Sequence, residues 1–259
     1  MEASATQTTA ERHPVVFVGA GPGDPELITC KGRRLLDAAD LVVYAGSLVN
    51  AALLDGIRAE CHDSASLDLA AIMGLLAEGH RTGRRVVRLH TGDPALYGAI
   101  REQMQWLDRE GITYEVVPGV SSAFAAAAAL RCELTVPEVT QTVILTRQAG
   151  RTPVPERESL RHLAAAQASM CIFLSVAMIE RVVEDLAAGG YPTKTPVAVV
   201  ERASWPDERI VRGTLADIAA QVQASGIRKT AMIVVGPALG EDSRIVSKLY
   251  DAGFTHEYR

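Results

Sequence analysis

The chain has 259 residues, of which 48% are hydrophobic, so it is long enough for one large domain or two ordinary ones with substantial cores. Its net charge of −5 disfavours a general nucleic-acid-binding protein, which usually carries a basic patch or a high isoelectric point. No apolar run approaches the roughly 20 residues needed to cross a bilayer, so we expect no membrane partner.

The N-terminal half alternates apolar β-branched runs with amphipathic segments, a pattern typical of strands followed by helices. Residues 1–13 are polar and lack the apolar core of a signal peptide, so we expect a disordered tail on a cytoplasmic protein. Residues 14–118 are expected to form a first α/β domain. Its predicted strands are 15–18, 41–44, 86–89 and 113–117, and its predicted helices are 27–39, 51–58, 67–78 and a segment from Pro94 to about residue 110.

Turns of glycine and proline follow three of these strands, at residues 19–25, 92–94 and 118–119. In open α/β sheets ligands bind at the carboxyl ends of the strands, so we expect the three turns to share a binding edge. Asp93 has two readings, as a ligand contact or as the cap of the next helix, in whose first turn we place Pro94. The apolar residues on one face of that helix are Ile100, Met104 and Leu107.

The turn after the first strand invites comparison with nucleotide-binding proteins, but two features disfavour that interpretation. Asp24 occupies the place of the third glycine of a dinucleotide fingerprint, and the next strand ends in residues 45–47, Ala-Gly-Ser, with no acid for a ribose hydroxyl. No Lys-Ser/Thr pair follows the glycines either. A nicotinamide or nucleoside triphosphate site is therefore disfavoured.

The C-terminal half, residues 119–259, is expected to form a second α/β domain. Its predicted strands are 142–146, 170–174, 197–200, 209–213 and 231–235, and its predicted helices are 123–130, 178–188 and 217–223. A polar loop with two prolines, residues 147–157, is expected to be long and mobile. The four cysteines form no CxxC pair, so the sequence predicts neither a disulfide framework nor a protein-bound metal.

Four segments in a fixed order carry a resemblance to a known family: VGAGPGDPELIT at 18–29, TGDPALYG at 91–98, VPGVSS at 117–122 and VGPAL at 235–239. Each alone is only a glycine- or proline-containing turn, but the ordered set resembles the tetrapyrrole methylases, the class III S-adenosylmethionine methyltransferases. Segments 44–49, 142–147 and 150–158 are similar to the branch that methylates precorrin-4 at C11 in cobalamin biosynthesis.

The resemblance implies two α/β domains with the cofactor cleft between them, a homodimer, and S-adenosyl-L-methionine as the donor, leaving S-adenosyl-L-homocysteine. Carried over by motif, the residues implied to bind the cofactor are Pro22, Thr91, Gly92, Asp93, Leu96, Ser121, Ser122, Ser175 and Ala203. Related methylases that act first on uroporphyrinogen III end the second strand with an Asp thought to act as a base. Here Ala45 stands there, so the resemblance implies a different reaction and leaves the catalytic residue unassigned.

The implied substrate carries acetate and propionate groups, which arginine binds bidentately. The substrate-binding candidates are Arg147, Arg151, Arg157 and Arg202, with Arg88 and Arg101 as further candidates. Loop 147–157 is either a cover for the substrate or a solvated surface loop, and His90 is either a proton shuttle or a hydrogen-bonded packing residue.

The expected reaction is methylation of precorrin-4 at C11, giving precorrin-5. Two alternatives stay open, namely cobalt-precorrin-4 as the substrate in the oxygen-independent route, and a nucleotide-binding regulatory module without catalysis.

Overall fold

The computed structural model describes residues 13–240, which fall into two compact units that divide between Ser121 and Ser122. The predicted tail lies outside the described residues except for His13. No helix within the described range is long and apolar enough to cross a bilayer. Both units combine a sheet with helices, so the α/β class expected from the resemblance is confirmed.

The N-terminal unit is built on a fully parallel sheet with the strand order β3-β2-β4-β1-β5. Its strands are β1 (Val15–Gly19), β2 (Leu41–Tyr44), β3 (Glu60–Asp63), β4 (Val86–His90) and β5 (Tyr114–Val117), and its helices are α1 (Cys30–Asp37), α2 (Leu69–Arg81) and α3 (Ile100–Arg109). Strands β1 and β4 are buried along their whole length, because apolar clusters pack on both faces of the sheet. Parallel strands covered on both faces read as continuous apolar runs, which is why the sequence reveals them.

Strand β3 was not predicted, and the helix predicted at 51–58 is wrong. Only Ala51–Leu54 forms a single 3-10 turn, which Asn50 caps by accepting a hydrogen bond from the Ala52 N–H at 3.1 Å. The chain becomes extended only at Glu60–Asp63, which pairs with β2. The sequence of β3, Glu-Cys-His-Asp, has no apolar alternation, so only its partner strand specifies its conformation.

The helix predicted to begin at Pro94 begins six residues later, at Ile100. Residues 94–97 form a turn, and Tyr97 and Ala99 adopt left-handed backbone conformations with φ of 57° and 48°. A helix cannot continue through left-handed residues. The predicted apolar face is confirmed, since Ile100, Met104 and Leu107 all belong to the cluster between α3 and the sheet.

The C-terminal unit is built on a mixed sheet with the strand order β6-β7-β10-β8-β9, in which only β6 and β7 run parallel. Its strands are β6 (Val143–Arg147), β7 (Ser169–Phe173), β8 (Pro196–Glu201), β9 (Arg209–Thr214) and β10 (Ala231–Val235), and its helices are α4 (Ser122–Leu130), α5 (Leu160–Leu163), α6 (Ile179–Ala188) and α7 (Ile218–Ser225). The alanines of α4 pack against one face of this sheet, and α5, α6 and α7 cover the other. The predicted strands and longer helices are confirmed, with bounds that differ by at most two residues, whereas the single turn of α5 was not predicted.

Candidate active site

The three glycine turns of the N-terminal unit meet at the carboxyl ends of β1, β4 and β5. Added to Gly19, a Cβ atom would lie 2.6 Å from the Gly119 Cα and 2.7 Å from the Gly92 carbonyl oxygen. One on Gly119 would overlap the same carbonyl oxygen. Only residues without a side chain allow such a close approach of backbones. The prediction that these turns share one edge of the sheet is therefore confirmed.

Hydrogen bonds fix the first two turns to each other. The Gly92 N–H donates to the Gly21 carbonyl at 2.8 Å, and the Gly21 N–H donates to the Gly92 carbonyl at 3.3 Å. This two-residue antiparallel bridge places buried Pro22 beside Gly92 in space, although 70 positions separate them in the chain. Two of the residues implied to bind the cofactor are thus brought together.

Asp93 connects the second turn to the third. Its carboxylate accepts a hydrogen bond from the Ala95 N–H at 2.8 Å and another from the Gly119 N–H at 2.9 Å. The first bond stabilises the turn that follows Asp93, although no helix begins there. The second holds the turn that leads to Ser121 and Ser122, where Ser121 is buried and Ser122 is the first residue of α4. Asp93 therefore shapes the site through the backbone of the neighbouring turn.

The remaining candidates of the N-terminal unit line the segment after β4. Thr91 is half-buried, and its hydroxyl donates to the Leu48 carbonyl at 3.3 Å. Leu96 is also half-buried, and its N–H donates to the Asp93 carbonyl at 3.2 Å. Both side chains stay partly accessible at the edge where the turns meet, and this is the position a ligand contact requires.

In the C-terminal unit, the hydroxyl of Ser175 already makes hydrogen bonds within the chain. Ser175 is fully buried, donates to the Phe173 carbonyl at 2.6 Å and accepts from the Gln148 N–H at 2.8 Å. Ala203 is buried within the apolar cluster under α4. A ligand contact at either residue would therefore use backbone or the small apolar surface, not a side-chain hydrogen bond.

Strained backbone conformations occur beside several of the candidate residues. Nine non-glycine residues in the described range have positive φ, and five of them lie in the segments that follow β4, β7 and β8: Tyr97, Ala99, Leu174, Arg202 and Ser204. Each such conformation costs about 1–3 kcal/mol and persists only where the surroundings enforce it. Leu174 directly precedes Ser175, and Ala203 lies between Arg202 and Ser204. The sequence contains no signal for this strain, because all these residues are ordinary L-amino acids.

Loop 147–157 is held by hydrogen bonds near its start, and its predicted mobility stays a prediction. The guanidinium of Arg147 donates to the carbonyls of Thr152 at 3.1 Å and Pro153 at 2.8 Å. Buried Gln148 anchors the same end, since its side-chain amide donates to Asp185 of α6 at 2.5 Å. Arg147 therefore acts as an internal brace of the loop, and Gln148 and Asp185 are structural residues that sequence reasoning missed.

The other candidate arginines differ in exposure and in the partners that they have within the chain. Arg151 is exposed, and Arg157 is exposed with a loose ion pair to Glu158 at 3.6 Å. Arg202 pairs with Asp207 and lies over the ring of Trp205, 4.3 Å from its centroid. Arg101 is exposed at the start of α3, whereas Arg88 is buried and hydrogen-bonded inside the N-terminal unit, which removes it as a substrate ligand. Among Arg147, Arg151, Arg157 and Arg202, the exposed Arg151 and Arg157 are best able to bind a carboxylate.

His90 packs in the interior, as one of its two interpretations predicted, with its ring centroid 5.9 Å from that of Phe17. It ends β4 with 5% of its surface exposed, and its Nε2 has no hydrogen-bond partner among the described residues. Burial, followed by the charge of nearby Arg88, lowers the pKa of His90 to about 3. An imidazole that stays neutral at physiological pH and is shut off from solvent is a poor proton shuttle.

The chain is similar to proteins of known family over most of its length. The model of the Tetrapyrrole (Corrin/Porphyrin) Methylases matches residues 14–219. The cobalt-precorrin-4 C(11)-methyltransferase of Methanocaldococcus jannaschii is 56% identical, over 95% of this chain and 95% of that protein. The precorrin-4 C(11)-methyltransferase of Pseudomonas aeruginosa is 52% identical, over 95% of this chain and 98% of that protein.

Solved structures show the same fold. A cobalt precorrin-4 methyltransferase of cobalamin biosynthesis superposes with a TM-score of 0.86 at 50% identity, covering 88% of this chain and 96% of that one. The uroporphyrin-III C-methyltransferase of Thermus thermophilus, solved with S-adenosylhomocysteine, gives a TM-score of 0.75 at 31% identity, covering 88% and 99%. On the family match, the identities and the fold together, the chain belongs to the tetrapyrrole methylases.

Proposed function

We propose that the protein transfers a methyl group from S-adenosylmethionine to C11 of precorrin-4, giving precorrin-5 and S-adenosylhomocysteine in cobalamin biosynthesis. The observation that carries the proposal is the meeting of Gly19, Gly92 and Gly119 at one sheet edge. Two relatives that are more than half identical to this chain are named for methylation of precorrin-4 or its cobalt form at that carbon.

The residues at this edge suit the donor. At this edge the turns pack backbone against backbone, since a Cβ on Gly19 or Gly119 would collide with the Gly92 carbonyl oxygen. Backbone without side chains lets carbonyl and N–H groups approach a bound molecule closely. S-adenosylmethionine supplies a methyl group that is already electrophilic, since it sits on a cationic sulfur. The chain then has to hold donor and acceptor in line, and such positioning can contribute about 7–11 kcal/mol to lowering a barrier.

Catalysis by positioning agrees with the side chains present. Both oxygens of Asp93 accept backbone hydrogen bonds, and His90 is buried and neutral, so neither is placed to move a proton. A dedicated acid or base would add about 10²–10⁴-fold, less than positioning can supply. We therefore propose that the N-terminal turns bind the donor and that no side chain among them acts as a base.

The substrate's carboxylates would meet the exposed arginines of loop 147–157. Arg151 and Arg157 keep most of their guanidinium donors available, and the brace formed by Arg147 holds the first part of the loop in shape without using them. Pre-ordering lowers the entropy lost when a charged side chain binds. Arg147 and Arg202 are the weaker of the four candidates, because each already has partners within the chain.

Cobalt-precorrin-4 is a second candidate substrate, because the Methanocaldococcus jannaschii relative is named for it. No group of three or more His, Cys, Asp or Glu side chains in the described range is arranged to hold a metal ion, and cobalt would arrive as part of the substrate. An assay with both tetrapyrroles side by side separates the two. Equal rates would mean that substrate supply, and not this chain, decides between the routes.

The proposal is tested by calorimetry with S-adenosylhomocysteine, followed by mass spectrometry of the methylated tetrapyrrole. Folded protein that shows no binding at tens of micromolar would overturn it. Stabilisation against heat by NAD or ATP, but not by S-adenosylhomocysteine, would instead support the regulatory nucleotide-binding module. We also propose a homodimer working in the cytoplasm, and light scattering after size-exclusion chromatography tests the dimer.

A further inference from the structure

Arg88 is a buried cation in β4, the central strand of the parallel sheet. Only 5% of its surface is exposed, and none of the ion pairs found among residues 13–240 includes it. Burial lowers the pKa of its guanidinium to about 10, so the group is still charged at neutral pH. Placing a charge in a protein interior costs several kcal/mol unless directed contacts offset it.

On one side, the hydrogen bonds of Arg88 connect β4 with β2 and with the end of β3. Its Nη1 donates to the Val43 carbonyl and to the Ser64 hydroxyl, each at 3.1 Å. Ser64 follows β3, and its own hydroxyl donates to the Tyr44 carbonyl at 2.9 Å. One guanidinium therefore connects β4 to the carboxyl ends of β2 and β3.

On the other side Arg88 reaches the segment that follows the Gly-Asp-Pro turn. Its Nε donates to the side-chain oxygen of Gln103 at 3.3 Å, and Gln103 donates from its amide nitrogen to the Ala99 carbonyl at 3.1 Å. Gln103 is 4% exposed, so water does not compete for these bonds. Ala99 is the left-handed residue that precedes α3, and no side chain caps the helix there.

These bonds support a strained stretch of chain. Tyr97 and Ala99 both have positive φ, and a Cβ on the intervening Gly98 would overlap the Pro94 carbonyl oxygen. Left-handed conformations cost about 1–2 kcal/mol per L-residue, so this segment needs external contacts to keep its shape. The same segment carries Leu96 and follows directly on Thr91, Gly92 and Asp93.

We propose that Arg88, acting through Gln103, is a positioning residue that holds residues 91–99 in the conformation that binds the methyl donor. The inference rests on the proposed function, since it assigns to Arg88 a role in that donor site. An apolar residue would fill the same space without the cost of burying a charge, but it would offer none of the directed bonds that reach Ala99.

The test compares the affinity for S-adenosylhomocysteine of Arg88→Met, Gln103→Leu and the double variant by calorimetry. We expect each single variant to bind about tenfold more weakly, as expected for the loss of one or two hydrogen bonds. The double variant should bind no more weakly than Arg88→Met, because both changes break the same relay. The matched control is Arg85→Met, which removes an exposed ion pair with Asp40 at the other end of β4 and should leave the affinity unchanged.

Steady-state kinetics distinguish positioning from a general loss of structure. In Arg88→Met, the KM for the donor should rise while the KM for the tetrapyrrole stays at the wild-type value. Wild-type donor affinity in folded Arg88→Met, or losses that multiply in the double variant, would overturn the inference. Should Arg88→Met fail to fold, Gln103→Leu decides alone, because it breaks the relay and leaves β4 intact. Failure of the wild-type protein to bind S-adenosylhomocysteine would overturn the proposed function instead.

Discussion

The buried imidazole of His90 should make the N-terminal unit sensitive to acid. The folded state lowers the pKa of His90 from 6.5 to about 3, first through burial and then through the charge of Arg88. The unfolded chain takes up a proton below pH 6.5, whereas the folded chain does not. The stability of the unit is therefore complete above pH 6.5 and is lost progressively as the pH falls toward 3.

The size of this effect follows from the pKa difference. One pKa unit corresponds to about 1.4 kcal/mol, so lowering the pH from 6.5 to 5 should cost about 2 kcal/mol of unfolding free energy through His90 alone. His90→Leu removes the titrating group and keeps a side chain of similar volume. Asp40, whose pKa Arg85 lowers to about 2, is present in both proteins, so its contribution cancels in the comparison. Between pH 7 and pH 5, the unfolding free energy of His90→Leu should therefore rise by about 2 kcal/mol relative to that of the wild-type protein.

The chain's two tryptophans make the measurement specific to one unit. Trp106 lies in α3 and packs on the cluster that contains Phe17, the neighbour of His90, whereas Trp205 lies in the C-terminal unit. In a Trp205→Phe background, urea unfolding followed by fluorescence reports the N-terminal unit alone. An equal loss of stability between pH 7 and pH 5 with and without the His90→Leu change would refute the reasoning, as would an NMR titration of His90 with a midpoint near 6.

Three further substitutions test the packing and hydrogen bonds of the site. Gly119→Ala should destabilise the N-terminal unit by about 2 kcal/mol or more, because the new methyl group overlaps the Gly92 carbonyl, and wild-type urea stability would contradict this. Asp93→Asn leaves one oxygen to accept two N–H bonds, so we expect a loss of about 1–2 kcal/mol and faster deuterium exchange at the Gly119 amide; unchanged exchange would show that the contact is dispensable. Arg147→Lys removes the paired bonds to Thr152 and Pro153, so amides 148–153 should exchange faster while global stability hardly changes, and equal protection would show that the loop holds itself.

The sequence predicts the fold best where burial dictates the residue type. Strands β1, β2, β4 and β10 are apolar and β-branched because they lie inside sheets covered on both faces, and all four were predicted. Strand β3 is polar and takes its conformation from pairing with β2, so no local pattern reveals it. The predicted start of α3 was also wrong, because nothing in the local sequence signals the left-handed conformations of Tyr97 and Ala99.

The candidate site likewise has features that the sequence predicts and features that it does not. The glycine turns are visible in the sequence, because backbone approaching backbone admits no other residue. The partner of each polar side chain is not visible, since it depends on which segments the fold brings near. Arg147 and Ser175, which the sequence analysis assigned to ligands, also bond to their own chain, and the Gln103 relay from Arg88 was not foreseen. Their sequence neighbours gave no sign of these bonds.

The polar strand β3 has a consequence for how the molecule behaves at high concentration. Among residues 13–240 it is the last strand on its side of the sheet, so its outer backbone groups pair with no strand there, and an unfolded segment of another molecule could add to them. Glu60 and Asp63 give this edge strand two carboxylates, of which Glu60 is bound to Arg84 at 2.8 Å and Asp63 accepts from the Gly46 N–H at 2.9 Å. A strand that approached would have to bury these charges. We therefore expect the charged residues that hid β3 from sequence reasoning to disfavour such pairing.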